Sequence, residues 1–593
     1  PDRTGVFGEE IAPTISVFKQ DGALHGMYST IKDAIAASEE GYTVMLATGV
    51  FEEDCVIDKP LKMVSRDHNL PFVHKDPLVS SGLMYVGCGI ISRRRREPCL
   101  LVRCAGVHLS GIAISQIDIP IDLDGDKEGG GEAQMNGEEA HGTSAVVVVE
   151  EGQLSMENCY VSAAFGSCIS IRGASSSISM KNCRIMEGFG GGMRLEDGSH
   201  GLMIECDVAS NKGTGVVVNN KSHLIIEHSQ VRDGLEDGVV FDCSSTGCLD
   251  RCQVFKNSGS GVVISGGSEP DVQECRIFQN YSFGVMVRDV GRGRIMSNDI
   301  FENAGGEIEI RGKGNPQVEG NKIHDSSSSG ISVDGGAGRF YGNEIYSNAR
   351  AGVKVRNESK IEFVKNVVCA GKHSGVVVES RSNGHFEGNV VQLNGQCGFE
   401  IRDDASAYLS RNLVMRNIHM GFLIYNGASG LLQDNEVACN GMSGICVMLN
   451  SSPNISRNLI RDNCQHGIFF TQGGKGNVES NQIHSNRKQG VRIEGPSDPI
   501  IQRNTIFNGL KHGILVCDGG RGTIQGNSVL RNKGSGIKIR SEGSPVVAAN
   551  RFHHGEGRGI HVASSGMGEV CCNSIYQNAM EDIQVDAPSD QVV

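Results

Sequence analysis

A few short stretches carry residue types that could do chemistry. Arg402, Asp403 and Asp404 place two carboxylates beside a guanidinium, the kind of pair that serves as acid and base when it flanks one sugar bond. Asp122, Asp124 and Asp126 alternate as in a calcium loop, and Arg93, Arg94, Arg95 and Arg96 form a basic run. His553, His554 and His561 are the histidines closest to a cluster. None of these completes a local pattern. Lys127 stands where a calcium loop needs its sharp-turn Gly, and Ala133 where it needs its bidentate Glu. The histidines have no carboxylate or cysteine at ligand spacing, and no C-x-x-C pair meets histidines at zinc spacing. Nucleophile-elbow, Walker and dinucleotide patterns are missing as well. The paired Asp therefore reads as a solvated turn, and no catalytic residue, metal or cofactor is expected. The arginine run reads as a solvated turn or as a site for an anionic partner.

The elements that would have to position such residues repeat. A residue preceding an apolar–any–apolar triplet recurs from Ala145 to Asp582 every 23 residues or so, and sixteen of these twenty anchors are Gly. The exceptions are Ala145, Cys168, Glu307 and Asp582. A second column is Asn298, Asn321, Asn343, Asn366, Asn389, Asn412, Asn435, Asn458, Asn481, Asn504, Asn527, Asn550 and Asn573. In earlier repeats Cys159, Cys183, Cys206, Cys252 and Cys275 hold the same place, which suits small buried residues in a stack. A third, patchier column of Asn lies five residues further on, from Asn257 to Asn578.

This period is too short for a propeller blade, lacks the leucine-rich frame and shows no helical spacing. Short alternating segments split by Gly, Ser, Asn and Asp instead predict three strands and three turns per repeat. The expected fold is all-β, a right-handed parallel β-helix with coils of about 23 residues. Anchor Gly suits either a positive φ or a close backbone approach. Stacked Asn can take the left-handed conformation and bond its amide to neighbouring coils, so the Asn columns are read as a structural ladder.

Residues 1–26 read as a tail, 27–115 as a cap with the first coils, 116–142 as an acidic, Gly-rich mobile loop, and 143–593 as regular coils. Within the cap, "STIKDAIAASEEG" predicts a helix with Ile31, Ala34 and Ile35 on one face. Such a helix would cover the first strand edge. This opening, continued by "TVMLATGVFEEDCVIDKPLKMVS" and then by coils such as "SNQIHSNRKQGVRI", resembles the pectin-lyase-like superfamily in its CASH-repeat branch. Within that branch it looks most like the F-box β-helix proteins and the SHC-binding, spindle-associated β-helix proteins. The resemblance implies the fold and leaves function open. Polygalacturonases of the superfamily carry Asn-Thr-Asp, a paired Asp, Gly-His-Gly and Arg-Ile-Lys on successive coils. Here Arg402–Asp404 is followed one coil later by "YNG", and no Gly-His-Gly occurs.

A formal net charge of −14 argues against nucleic acid as the main partner. No apolar run is long enough to span a bilayer. With the cysteines read as thiols and no signal-peptide pattern, the expected place is intracellular, cytoplasmic or cytoskeleton-associated. The middle residue of each triplet should point outward. Down the coils these positions form two apolar stripes, Val217, Val240, Val263 and Met286, then Leu423, Cys446 and Phe469. Trp is absent and aromatics are 5% of the chain, which favours a protein partner over a sugar on that face. The leading expectation is a non-catalytic scaffold, a substrate-recognition or cytoskeletal adaptor that docks other proteins. The alternative is a carbohydrate-active enzyme (polysaccharide lyase, hydrolase or epimerase). That reading demands a cross-coil cluster of outward acids and a groove for an oligosaccharide.

Overall fold

The computed structural model describes residues 14–67, 72–74, 84–86, 88–94, 97–117 and 145–586. Asp122, Asp124, Asp126, Arg95, Arg96 and nearly all of the acidic stretch fall outside these residues. The chain divides into two compact units, residues 1–285 with 291–293, and residues 286–290 with 294–593.

Each unit is a parallel β-solenoid. In the first, one coil runs Val216–Val218, His223–Glu227 and Gln230–Arg232 before the next begins at Val239. Each strand pairs in parallel with its equivalent one coil on, as in Val216↔Val239, Leu224↔Gly247 and Val231↔Val254. The second unit repeats the scheme with Val376–Val378, Asn383–Glu387 and Val390–Gln392, paired to Phe399, Ser406 and Leu413 onward. Three sheets result: an anchor sheet of triplets, a long-strand sheet and a short-strand sheet. Their inward residues are almost all Val, Ile, Leu and Phe with no exposed surface. Because successive coils add equivalent residues at the same place, the core continues from coil to coil, with Phe rings such as Phe241, Phe340 and Phe422 set among the aliphatic residues.

The N-terminal end matches its pattern. Ile31–Ala37 is a helix capped by Thr30, with Ile31, Ala34 and Ile35 buried. The Glu53 carboxylate accepts from the first-turn N–H groups of Ile31 and Lys32 at 2.7 and 3.0 Å, which satisfies donors that no helical carbonyl can reach. Strands also occupy part of the stretch read as a tail. Ile15–Phe18 pairs antiparallel with Leu24–Tyr28 and with Tyr42–Leu46.

The columns explain the period. Anchor glycines are there for close approach rather than for positive φ. A Cβ on Gly215 would sit 2.6 Å from the Gly238 carbonyl oxygen and 2.8 Å from a Val231 methyl. The left-handed backbone belongs to the residue before each ladder Asn, such as Lys365 (φ 55°), Arg411 (56°) and Arg457 (56°), and not to the Asn itself. The Asn is freed to bond across coils. Asn435 donates from its backbone N–H and from Nδ2 to Asn458 Oδ1, and its Nδ2 also reaches Leu409 O, all at 2.9 Å. Its own Oδ1 accepts the same pair from Asn412. Cys performs the exchange more weakly, with Cys252 N–H donating to Cys275 Sγ and Cys252 Sγ to Ile226 O. No disulfide joins any described cysteine.

Asn435→Ala should therefore cost about 2–4 kcal/mol, because it removes the acceptor of two Asn412 donors, of which only Nδ2 keeps another partner in Phe386 O, as well as Asn435's own bonds. Asn573→Ala, at the last rung and partly solvated, should cost less than about 1 kcal/mol. Urea unfolding of the two variants checks this. Equal losses would mean that the ladder is not what holds the coils.

Candidate functional site on the anchor-sheet face

The outward triplet positions are less open than the alternation alone implies. In the first unit Val217 and Val240 are half-buried, and Val263 is 1% exposed. In the second, Met286, Leu423 and Phe469 are half-buried, and Cys446 is 2% exposed. The expected flat apolar stripes are thus recessed. Side chains one residue before the anchor and two after the triplet centre stand on either side, so the column forms the floor of a shallow trough. Phe469, for example, meets the His466 ring at 5.2 Å and lies under the Arg492 guanidinium at 5.5 Å.

On the trough of the second unit, charged and polar residues from four coils converge. Glu379 and Glu400 are 7% and 8% exposed. Lys354 Nζ lies 2.9 Å from Glu379 Oε1, and the Arg402 guanidinium donates to Glu379 Oε2 from Nε at 2.9 Å and from a second nitrogen. Another Arg402 nitrogen donates to the Tyr425 hydroxyl at 3.0 Å. That hydroxyl donates to Glu400 Oε1 at 2.8 Å, and Ser374 Oγ donates to Glu400 Oε2 at 2.9 Å. The result is a Lys–Glu–Arg–Tyr–Glu chain with every link made.

Electrostatics assigns proton states. Burial alone would raise the Glu379 carboxyl, but Lys354 and Arg402 outweigh it and hold the group below the usual carboxylate range. Burial, reinforced by the bond to Glu400, pushes the Tyr425 phenol up to about 12. Burial also works against charge on Arg402, yet Tyr425 and Glu379 more than compensate and raise it. One carboxylate is therefore firmly ionised beside a firmly protonated phenol.

Further along the same face, burial and the nearby Arg492 and Lys488 drive the His466 imidazole down to about 3. Burial with Lys538 and His561 drives His512 down to about 4. His561, read as lacking a carboxylate, has Asp586 Oδ2 at 3.2 Å, contributed one coil later. Among the described residues Glu494, Cys517 and Asp518 bring three potential ligand atoms within 4.8 Å of one another. Arg492 pairs with Glu494 and lies 3.9 Å from Asp518, and burial pushes the Cys517 thiol up to about 11, so a cation of the chain already serves this cluster.

Other sequence candidates resolve simply. Asp403 and Asp404 lie in a turn, both with a positive φ of 57°. Arg93 bonds Glu52 at 3.0 Å, and Arg94 bonds Asp54 and Glu97 at 3.2 and 2.6 Å, so both guanidiniums already face acids. Lys354, Glu400 and Arg492 stand in the outward column that the sequence exposes. Glu379 and Tyr425 were missed because they stand two residues beyond it, and Arg402, singled out only for the paired Asp that follows it, stands in that same flanking column. Reading that flanking column down the coils, Glu379–Arg402–Tyr425 at steps of 23, would have found them.

A parallel β-solenoid with a polar cluster assembled across coils defines the class. The sequence matches the family described as the right-handed β-helix region over residues 128–277, 260–414, 401–544 and 450–592, and the chain belongs to that family. No curated protein matches it. Among solved structures it is similar to the periplasmic alginate epimerase AlgG, at 14% identity over 63% of this chain and 85% of that one, with a TM-score of 0.35. It is also similar to the A-module of the Azotobacter vinelandii mannuronan C-5 epimerase AlgE4, at 15% identity over 59% and 90%, TM-score 0.31. A third is the Dettilon tailspike protein, at 11% identity over 60% and 62%, TM-score 0.31. No helix among the described residues is long and apolar enough to cross a membrane.

Proposed function

We propose that the protein is a carbohydrate-active enzyme whose site is the anchor-sheet trough around Glu379, Glu400, Arg402 and Tyr425. One observation carries this reading. Two buried carboxylates on successive coils are joined through a guanidinium and a phenol, the cross-coil cluster that such an enzyme requires. Glu379, held ionised by two cations, cannot be a general acid, which disfavours a hydrolase working with this carboxyl pair. A protonated Tyr425 bonded to Glu400 suits removal and return of a ring proton, with Glu400 as base and Tyr425 as acid. Arg402 and Lys354 supply positive charge against the developing anion. That pattern fits a lyase or epimerase acting on a uronate.

The test is turnover of mannuronate and galacturonate oligomers, read as an unsaturated product or as exchange of the ring proton with deuterated water. Wild type should react, and Glu400→Gln and Tyr425→Phe should each fall at least about 100-fold. Absence of product and exchange across both polymers would end the reading.

A second reading, a scaffold that docks proteins, draws support from the half-buried Leu423 and Phe469 beside Cys446. The F-box-like and spindle-associated resemblances would make it an adaptor. Loss of a stoichiometric partner in a Val240→Asp, Phe469→Asp double variant that still folds would favour it.

A further inference from the structure

On the long-strand sheet of the second unit lies a groove that the trough chemistry does not use. It encloses about 650 Å³ across the strands Ala337–Tyr341, Lys360–Val364, Asn383–Glu387, Ser406–Ser410 and Ser429–Gln433. That volume falls within the range of ordinary ligand sites.

The core beneath the groove has its own packing. Inward positions that hold Leu or Ile in other coils hold Gly338, Gly384 and Gly430 here. A Cβ on Gly384 would lie 2.6 Å from the Phe386 ring, and one on Gly338 2.9 Å from Phe340. The rings of Phe340, Phe363 and Phe386 fill the interior, with centroids 5.9 and 5.8 Å apart. The outer face above them carries the small residues Ala337, Asn383 and Ser406, with the exposed Lys360 between the first two.

One wall of the groove is an outward column running Arg339, Glu362, His385, Tyr408, Leu431. Tyr408 is 38% exposed, and its ring lies 4.9 Å from that of His385. Nε2 of His385 is buried without a hydrogen-bond partner; the Glu387 carboxylate lies 3.4 Å away but outside bonding geometry. Ionic side chains of the wall and rim neutralise each other, Arg339 with Glu362 and Arg411 with Glu387, both at 2.9 Å. Every strand under the groove has a parallel neighbour on both sides, so no backbone edge is open to an added peptide strand.

We infer that this groove binds a linear oligosaccharide along the coil stack. Tyr408 and Leu431 would meet the apolar ring faces, and His385, Asn383 and Ser406 the hydroxyls. Five coils at about 4.8 Å each give roughly 20 Å of floor, room for several rings. The wall's ion pairs are closed, and a neutral glycan brings no charge to the one further cation, Lys360, so recognition works through ring faces and hydroxyls and binding depends little on salt. The choice of a glycan rests on the reading of the trough; the groove's geometry does not.

The experiment is titration calorimetry of the full chain with three neutral glycans, cellohexaose, maltohexaose and xylohexaose, at low and high salt. At least one should bind wild type, with a dissociation constant that changes less than about threefold with salt. Tyr408→Ala should weaken that binding at least tenfold, Tyr408→Phe should retain it, and Glu400→Gln should leave it unchanged. No binding by any of the three, or binding that Tyr408→Ala does not weaken, overturns the groove. So does binding lost with Glu400→Gln, which would place the sugar on the trough. The turnover assay is separate, so an active enzyme with no Tyr408-dependent binding defeats the groove alone, and Tyr408-dependent binding without turnover defeats the trough alone.

Discussion

Arg402→Leu is expected to destabilise the second unit by about 3 kcal/mol at neutral pH and to abolish any turnover at the trough. The guanidinium is the central link. It serves Glu379 twice, the Tyr425 hydroxyl once, and lies 3.6 Å from Glu400. Leucine leaves Glu379 buried with Lys354 alone. The pH dependence distinguishes this from simple loss of packing. In wild type the Glu379 carboxyl titrates below its ordinary value, so its stabilising effect is present above the unfolded value and lost as pH falls through the folded one. Without Arg402 one of the two cations that lower the carboxyl is gone, so less stability remains to be lost on acidification. The variant's deficit relative to wild type should therefore shrink on acidification, as urea midpoints through the carboxylate range would show. A deficit that does not change with pH would mean that the charge chain contributes nothing beyond its volume. Arg402→Lys should recover only part of the loss, since an ammonium cannot reproduce the two-pronged contact with Glu379.

A second large effect is predicted inside the ladder. Asn257 donates its backbone N–H to Asn280, and Asn394 to Asn417, but the next-coil position facing Asn303 is Ser326. The gap is filled from the anchor column. Glu307, which stands where other coils have Gly, turns its carboxylate inward and accepts from Asn303 N–H at 3.2 Å and from Asn303 Nδ2. The two exceptions are complementary in space. Where the ladder keeps Asn, as at Asn348, Asn257 and Asn463, a Cβ on the anchors Gly330, Gly238 and Gly444 would lie 2.7, 3.0 and 2.9 Å from its Nδ2. One position or the other must be small.

Glu307→Gly alone should thus cost about 2–3 kcal/mol, since it removes the buried acceptor of two Asn303 bonds. Ser326→Asn alone should cost a similar amount, roughly 1–3 kcal/mol, by crowding Glu307. Together they should restore a normal rung and return most of the loss. Simple addition of the two costs would refute the exchange. Burial, only partly opposed by Asn303, lifts the Glu307 carboxyl to about 8. With the folded value above the unfolded one, its contribution is intact below the ordinary carboxyl range and is lost as pH rises through about 8. Wild type should accordingly weaken between mildly acidic and mildly alkaline pH, on the order of a few kcal/mol, in a way that Glu307→Gln does not.

Much of this molecule was readable as arithmetic. The anchor interval, the alternation and the Asn and Cys columns determined a parallel β-helix, because in a stack with one repeat length equivalent residues must lie above one another. The buried face of Ile31, Ala34 and Ile35 followed from helical spacing in the same way. The sequence also placed Lys354, Glu400, Phe469 and Arg492 in one outward column. What it could not decide was lateral. Whether Glu400 meets Ser374 and Tyr425, 26 and 25 positions away, depends on how far each turn sets the flanking columns from the triplet. The same lateral packing recessed Val263 and Cys446, although alternation alone leaves them outward. The long-strand groove depended on a further step, since it lies over coils where inward glycines make room for phenylalanine rings. Periodicity fixes which residues stack, because one coil length governs every column. Contacts between columns are set by backbone offsets and side-chain volumes, and only the tertiary structure decided those.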